Sequence, residues 1–297
     1  MIKSLSLSLV IAFLCLHKTY AVNISCSKYA ARFFVAETHE KITRNLFNGN
    51  IIHGHAFSAN SNRNAIYKVI IKNPKTGEQE KAVLKPRKYG DGYGFNRTPM
   101  EYVGYWFNLK LGMDYIPPSA YRDPAKGKGV WLNGQQMPES ALIVWVEDSH
   151  LLFDVPYENW VLDSPYSEMD KKLFFSDVQI FDHGIMNSDR HRDNFMRGKH
   201  WGNGQYAPML IDQAGGLNKN HYSWTFPQHQ TIHEAPLYIR KSTYENLLIF
   251  NMKTLDEVSE FTSQQEREEW MGRIEEILGY FNNIIRLNGF AETVIDR

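Results

Sequence analysis

The sequence predicts an α+β fold of two lobes, a small β-rich lobe followed by a larger helical one, with a cleft between them. Three observations lead there. Short β-branched stretches separated by turn residues fill the first part of the chain. Apolar residues at helical spacing dominate the second part. The length of 297 residues, with 43% hydrophobic and 13% aromatic content, is enough to build one large two-lobed domain.

Taken in order, residues 50–57, 65–72 and 81–85 read as three antiparallel strands. Pro74 and Gly77 suit a turn between the last two, and the polar stretch 58–64 a loop between the first two. A helix is expected from Thr98-Pro99-Met100-Glu101, with Thr98 as cap, Pro99 at the first helical position and Glu101 closing a capping box. Val103, Trp106, Phe107 and Leu111 then mark one buried face, Gly112 ends the helix, and Ile116-Pro117-Pro118 leaves it extended. Residues 142–146 read as a strand. Phe174, Val178, Phe181 and Ile185 predict a helix, and 208–211 a strand that delivers Asp212. Ser263-Gln264-Gln265-Glu266 caps a long amphipathic helix with Trp270, Ile274, Ile277, Phe281 and Ile284 as its stripe and Gly289 at its end. No internal repeat, low-complexity tract or flexible linker interrupts the chain, so one domain is expected over 22–297. Its small lobe would span about 30–146 and its large lobe about 147–297.

The first 21 residues read as a signal peptide: Lys3, an apolar run from Leu5 to Leu16, then Thr19-Tyr20-Ala21 with small residues at the cleavage positions. A buried N-terminal helix or an uncleaved anchor is the alternative. Cleavage after Ala21 would make the protein secreted or extracytoplasmic, with no stable membrane span left. Cys15 would leave with the peptide, so Cys26 alone would remain and no internal disulfide could form. Asn23 and Asn96 begin glycosylation sequons. Lys plus Arg and Asp plus Glu are both 33, a net charge of +0 that gives no footprint for nucleic acid. A small anionic ligand needs only a local cluster of positive charge.

Several residues could supply such chemistry. Asp189 on a loop with Asn194 five residues later has the spacing of a kinase catalytic loop, in which the Asp accepts the acceptor's proton and the Asn holds a metal. His191-Arg192-Asp193 spells the kinase tripeptide literally, yet five residues past Asp193 stands Gly198, which has no metal-binding side chain. Asp212, at the end of an apolar strand and before Gly215-Gly216, suits a metal carboxylate; alone it would read as a capping Asp before a turn. Lys85 shares a strand face with Val83, and an inward lysine calls for a phosphate or carboxylate partner. The alternative is a strand-end lysine reaching solvent. Glu101 is the natural partner for Lys85 or for a metal, unless the capping box uses it. His53, His55, His183, His191 and His221 raise the alternative of a transition metal, but no HExxH or zinc-finger spacing occurs. The lone mature Cys26 and the absence of a GxSxG elbow weaken hydrolase readings. Together the set points to phosphoryl transfer, which asks a protein for positioning and charge compensation.

The chain resembles the atypical secretory-pathway kinases, the four-jointed and Golgi casein kinase family. More distantly it is similar to actin-fragmin kinase, HipA-like kinases and type II phosphatidylinositol 4-kinases. Three blocks carry the resemblance over about residues 80–216: Ala82-Val83-Leu84-Lys85-Pro86-Arg87-Lys88; the stretch 101–111 with Ile116-Pro117-Pro118; and Ile180-Phe181-Asp182 through Asn187-Ser188-Asp189-Arg190-His191, with Ile211-Asp212 after it. The resemblance implies an atypical kinase-like fold that uses ATP with Mg²⁺ or Mn²⁺ and takes a protein Ser/Thr hydroxyl as acceptor. By carry-over Lys85 would touch the nucleotide phosphates, Glu101 would pair with it or help hold a metal, Asp189 would be catalytic, and Asp212 would bind metal. Departures are Met186 where the family has Gly, Asp212-Gln213-Ala214 where it has Asp-Asn-Gly, and no glycine in 58–64. They keep open a pseudokinase acting as a binding or allosteric partner. A lipid or glycan kinase of the same fold is a further alternative, because no residue reads the acceptor.

Overall fold

Strand alternation in the first part of the chain produces a sheet larger than the three strands expected. In the computed structural model, which describes residues 36–56, 65–87, 97–161, 166–217 and 225–297, the first described element is a helix, α1 (Ala36–Asn48). His39, Ile42, Thr43, Leu46 and Phe47 recur at three- and four-residue spacing and are buried. Polar members of that stripe conceal it in the sequence. The strands β1 (Asn50–Ala56), β2 (Tyr67–Lys72) and β3 (Gln79–Pro86) follow as antiparallel neighbours. The signal peptide with its cleavage site, Cys15, Cys26, Asn23, the 58–64 loop, Asn96 and His221 lie outside the described residues.

Helix α2 (Pro99–Lys110) departs from the expectation twice. Thr98 makes no side-chain capping bond, so the capping box is absent and Glu101 is used elsewhere. Nor does the helix bury only one face: every residue from Met100 to Leu109 is buried, because α2 packs on the sheet on one side and on the helical half on the other. Beyond it come β4 (Ser119–Arg122), the small hairpin β5 (Val130–Leu132) and β6 (Gln135–Met137), and β7 (Ser140–Val144). Sheet order is β1-β2-β3-β7-β4, antiparallel throughout. Ala82 and Leu84 of β3 face a core shared with Ile42 and Leu46 of α1, which puts Val83 and Lys85 on the opposite face. Arg122, buried at the end of β4, donates to the carbonyls of Leu46 at 2.8 Å and Gly49 at 2.7 Å, closing the C-terminus of α1.

After the short β8 (His150–Leu151), the helical half begins with α3 (Glu168–Ile185). Ser167 and Asp170 form a reciprocal capping box at its start. At its end Met186 adopts the left-handed conformation (φ 55°), which stops the helix and turns the chain into the 187–194 loop. The hairpin β9 (Phe195–Lys199) and β10 (Tyr206–Leu210) then returns the chain to Ile211 and Asp212. Past β11 (Ile239–Arg240) and α4 (Lys241–Ile249), the long α5 (Gln264–Asn288) starts with the Ser263–Glu266 capping box, as expected, and β12 (Val294–Ile295) pairs in parallel with β11. Trp270, Ile274, Ile277 and Phe281 of α5 pack into a second, larger core with Trp106, Phe107, Phe174 and Phe181. The rings of Phe107 and Trp270 meet edge to face, with centroids 4.8 Å apart. The architecture is thus α+β, an antiparallel sheet first and helices after, as the two-lobed α+β reading of the sequence expects.

Candidate functional site

Three charged side chains from distant parts of the chain meet on the open face of β3. Lys85 Nζ donates to Glu101 Oε1 at 2.6 Å and to Asp212 Oδ1 at 3.1 Å. The β3 alternation points Lys85 away from the sheet core, and α2, pressed against β4 and β7, carries Glu101 to it. Burial alone would lower the Lys85 ammonium's pKa, but Asp212 and Glu101 outweigh it and raise it. Lys85 therefore stays charged. Burial pushes the Glu101 carboxyl up, Lys85 pulls it down, and the nearby Asp212 charge helps leave it raised. The Lys85 charge acts most strongly on Asp212, holding its carboxyl below the usual range against the opposing effect of burial. Asp212 keeps 42% side-chain exposure, so its carboxylate opens to solvent rather than to the core.

The backbone at Asp212 is left-handed, φ 59°, a conformation that Asp tolerates better than most residues. Its neighbour Gln213 is fully buried and binds in two directions. The Gln213 amide N–H donates to Glu101 Oε2 at 3.0 Å, and its Oε1 accepts from Arg190 Nη2 at 2.6 Å. Gly104 of α2 lets this happen: a Cβ there would lie 2.8 Å from Gln213 Cγ. Gln213 is thus a structural tie in this protein.

The 187–194 loop is organised by Arg190, which has no exposure. Its guanidinium donates to both oxygens of Asp182, at 3.2 and 3.0 Å, and to the Ile211 carbonyl at 2.6 Å. Asp182 is also bound by Asn187 Nδ2 at 3.2 Å and by the His229 ring at 3.0 Å. Burial would raise the Asp182 carboxyl, but Arg190 and His229 outweigh it and hold it low. Within this frame Asp189 is half-buried. Its N–H donates to Asn187 Oδ1 at 3.2 Å, and its carbonyl accepts from Asn194 Nδ2 at 2.8 Å. Asn194 is buried, and its nitrogen end faces the loop, so the amide oxygen is the end that could meet a cation. A Cβ on Gly215 would stand 3.1 Å from both Asp189 Cβ and Asn187 Oδ1, which puts the loop directly against the segment that follows Asp212. Asp193, by contrast, is 73% exposed and meets His191 at 3.8 Å.

The structure therefore brings Lys85, Glu101 and Asp212 into direct contact and joins Asp189 and Asn194 through one hydrogen bond. The two groups are linked through Arg190 and Gln213. Sequence reasoning gave no role to Asp182, Arg190, Gln213 or His229. The one available signal was an Asp-His pair on the otherwise apolar last turns of α3. The histidines raised as metal ligands are dispersed: His183 meets Glu276 at 2.9 Å, His191 is exposed, and the rings of His53 and His55 stand 6.0 Å apart. Among the described residues no three His, Cys, Asp or Glu side chains gather into a metal site. Phosphate-assisted magnesium sites need only one or two protein donors, so that observation bears on zinc rather than on magnesium.

No protein-family model and no curated protein sequence matches the chain. Among solved structures it is similar to the PAN3 pseudokinase of Neurospora crassa, at 12% identity over 84% of this chain and 71% of that one, with a TM-score of 0.32. That overlap is too loose to transfer anything from that protein to this chain.

Proposed function

We propose that this chain is an ATP-dependent phosphotransferase that uses a divalent metal and acts outside the cytoplasm, with a protein Ser/Thr hydroxyl as acceptor. The observation that carries the reading is the Lys85–Glu101–Asp212 contact, made by a strand lysine, a buried helix glutamate and a carboxylate on a left-handed turn. A lysine clamped this way is a fixed cation for nucleotide phosphates, and Glu101 sets its position. Asp212, ionised and open to solvent, and the Asn194 amide oxygen are hard oxygen donors that fit Mg²⁺ or Mn²⁺. When bound, the metal supplies charge neutralisation on the phosphates. Asp189 would accept the proton of the acceptor hydroxyl, held in place by Asn187 and Asn194. Secretion is part of the proposal and rests on residues 1–21.

Purified protein lacking residues 1–21 tests this. ATP with Mg²⁺ or Mn²⁺ should raise its melting temperature, and labelled phosphate should pass to the protein itself or to a generic protein acceptor. Asp189→Ala should cut transfer by about 100-fold or more while leaving the nucleotide shift, as expected for loss of a general base. Asp212→Asn should remove the metal-dependent part of the shift. Full activity in both variants would refute the site. Transfer only to lipid or glycan would overturn the protein acceptor, and neither shift nor transfer would leave a pseudokinase.

A further inference from the structure

One face of α3, whose Phe175 packs at the edge of the larger core, takes no part in the 187–194 loop. Lys171, Lys172, Phe175, Ser176 and Gln179 follow three- and four-residue spacing along it. Together with Glu168, whose carboxylate accepts from the Tyr157 hydroxyl, they form one wall of a cavity of about 620 Å³, with the segment 231–238 as the other wall and Phe153 at its side. That volume is in the range of small-molecule sites. The cavity is braced: Gln179 Nε2 donates to the Glu234 carbonyl at 2.8 Å, and the Tyr280 hydroxyl donates to the Pro236 carbonyl at 2.9 Å. Ser176 Oγ and Gln179 Oε1 are buried and have no hydrogen-bond partner, a state that buried polar atoms rarely keep without a reason. Lys171 lies 4.9 Å from the ring centre of Tyr157, and Lys172 lies 5.5 Å from that of Tyr238. Among the described residues neither lysine pairs with a carboxylate.

We propose that this cavity binds a small amphipathic organic anion. Its ring body would sit among Phe153, Phe175 and Tyr238, and its acid group at Lys171 and Lys172. An N–H or O–H donor would serve Gln179 Oε1. The site is separate from the cleft, since neither Lys85 nor Asp212 lines it, and it stands whether or not the chain transfers phosphate. It is not isolated, however. Thr231, on the 231–238 wall, donates to the Arg190 carbonyl, and His229 just before it binds Asp182, so an occupant bears on the segment that braces the 187–194 loop.

The test uses 8-anilinonaphthalene-1-sulfonate, which combines an aromatic body, a sulfonate and an N–H donor. On the full chain lacking residues 1–21, its fluorescence should rise saturably with one site per chain and should persist when ATP and Mg²⁺ are added. Lys171→Met with Lys172→Met should weaken binding about tenfold, which is about 1.4 kcal/mol. Lys172→Glu, a good helix former of reversed charge, should weaken it more than Lys172→Met does. Non-saturable binding, displacement by ATP, or equal affinity in wild type and the lysine variants would overturn the proposal.

Discussion

At the scale of single residues, the site depends on a buried ion pair more than on any residue that would touch substrate. Arg190 and Asp182 are both removed from solvent, and Arg190 also holds the Ile211 carbonyl and the Gln213 side chain. Removing one partner of such a pair leaves the other charge uncompensated, at a cost of about 3–5 kcal/mol. Arg190→Met should lower unfolding stability by about that amount in chemical denaturation, and a loss below 1 kcal/mol would show that the pair is dispensable. Met186 makes a different trade. Holding a side chain in the left-handed conformation costs about 1–2 kcal/mol, while burying a methionine returns about 1.5–3 kcal/mol. The balance explains how methionine stands at a left-handed position that favours glycine.

At the scale of elements, the segment 212–217 and the 187–194 loop are fitted against each other with no spare room. Gly215→Ala would press a methyl group to 3.1 Å from Asp189 Cβ. The φ of Gly215 is not left-handed, so the backbone accepts alanine, and the entropic gain of about 0.4–1 kcal/mol offsets the crowding. The melting temperature should therefore hardly move, while phosphotransfer falls about tenfold through displaced Asp189, since small misplacements are costly in rate. An unchanged rate would place Asp189 away from the chemistry. The same elements show what a sequence can disclose. β2, β3, α3 and α5 were legible because their apolar residues repeat at the period of the element, β1 only as a short β-rich stretch, and the Ser263 box is a local signal. Helix α1 was not, because His39, Thr43 and Asn45 occupy its buried side. The Thr98-x-x-Glu101 pattern misled in the opposite direction: the motif is local, but Lys85 and the Gln213 amide are stronger partners from elsewhere. Lys85, Glu101, Asp189, Asn194 and Asp212 could be singled out by residue type and order. The Arg190–Asp182–His229 frame could not, since its partners are contacts across the fold.

At the scale of the whole molecule, a second buried polar cluster joins the sheet half to the helical half. Asp114, after α2, takes His39 of α1 at 3.2 Å and His200 of the β9–β10 hairpin at 3.1 Å. The Tyr105 hydroxyl lies 2.7 Å from His39 Nδ1, and Trp201 Nε1 lies 3.1 Å from His39 Nε2. Burial would raise the Asp114 carboxyl, but His200 and His39 outweigh it and hold it low. Asp182 is held low in the same way. A carboxyl lowered on folding stabilises the folded state above its unfolded pKa, near 4, and loses that contribution as pH falls through the folded value. Thermal melts between pH 7 and pH 3 should therefore drop steeply below about pH 4. Asp114→Asn should melt lower at pH 7 and show a shallower acid limb; an unchanged limb would remove Asp114 from the account. The cluster also bears on the order in which the chain is made. Helix α1 emerges from the ribosome before every partner of His39, and Trp201 follows 162 residues later. Until that hairpin has been synthesised, the sheet half carries an uncovered polar helix end, so the first of the described elements to be translated is among the last to be locked.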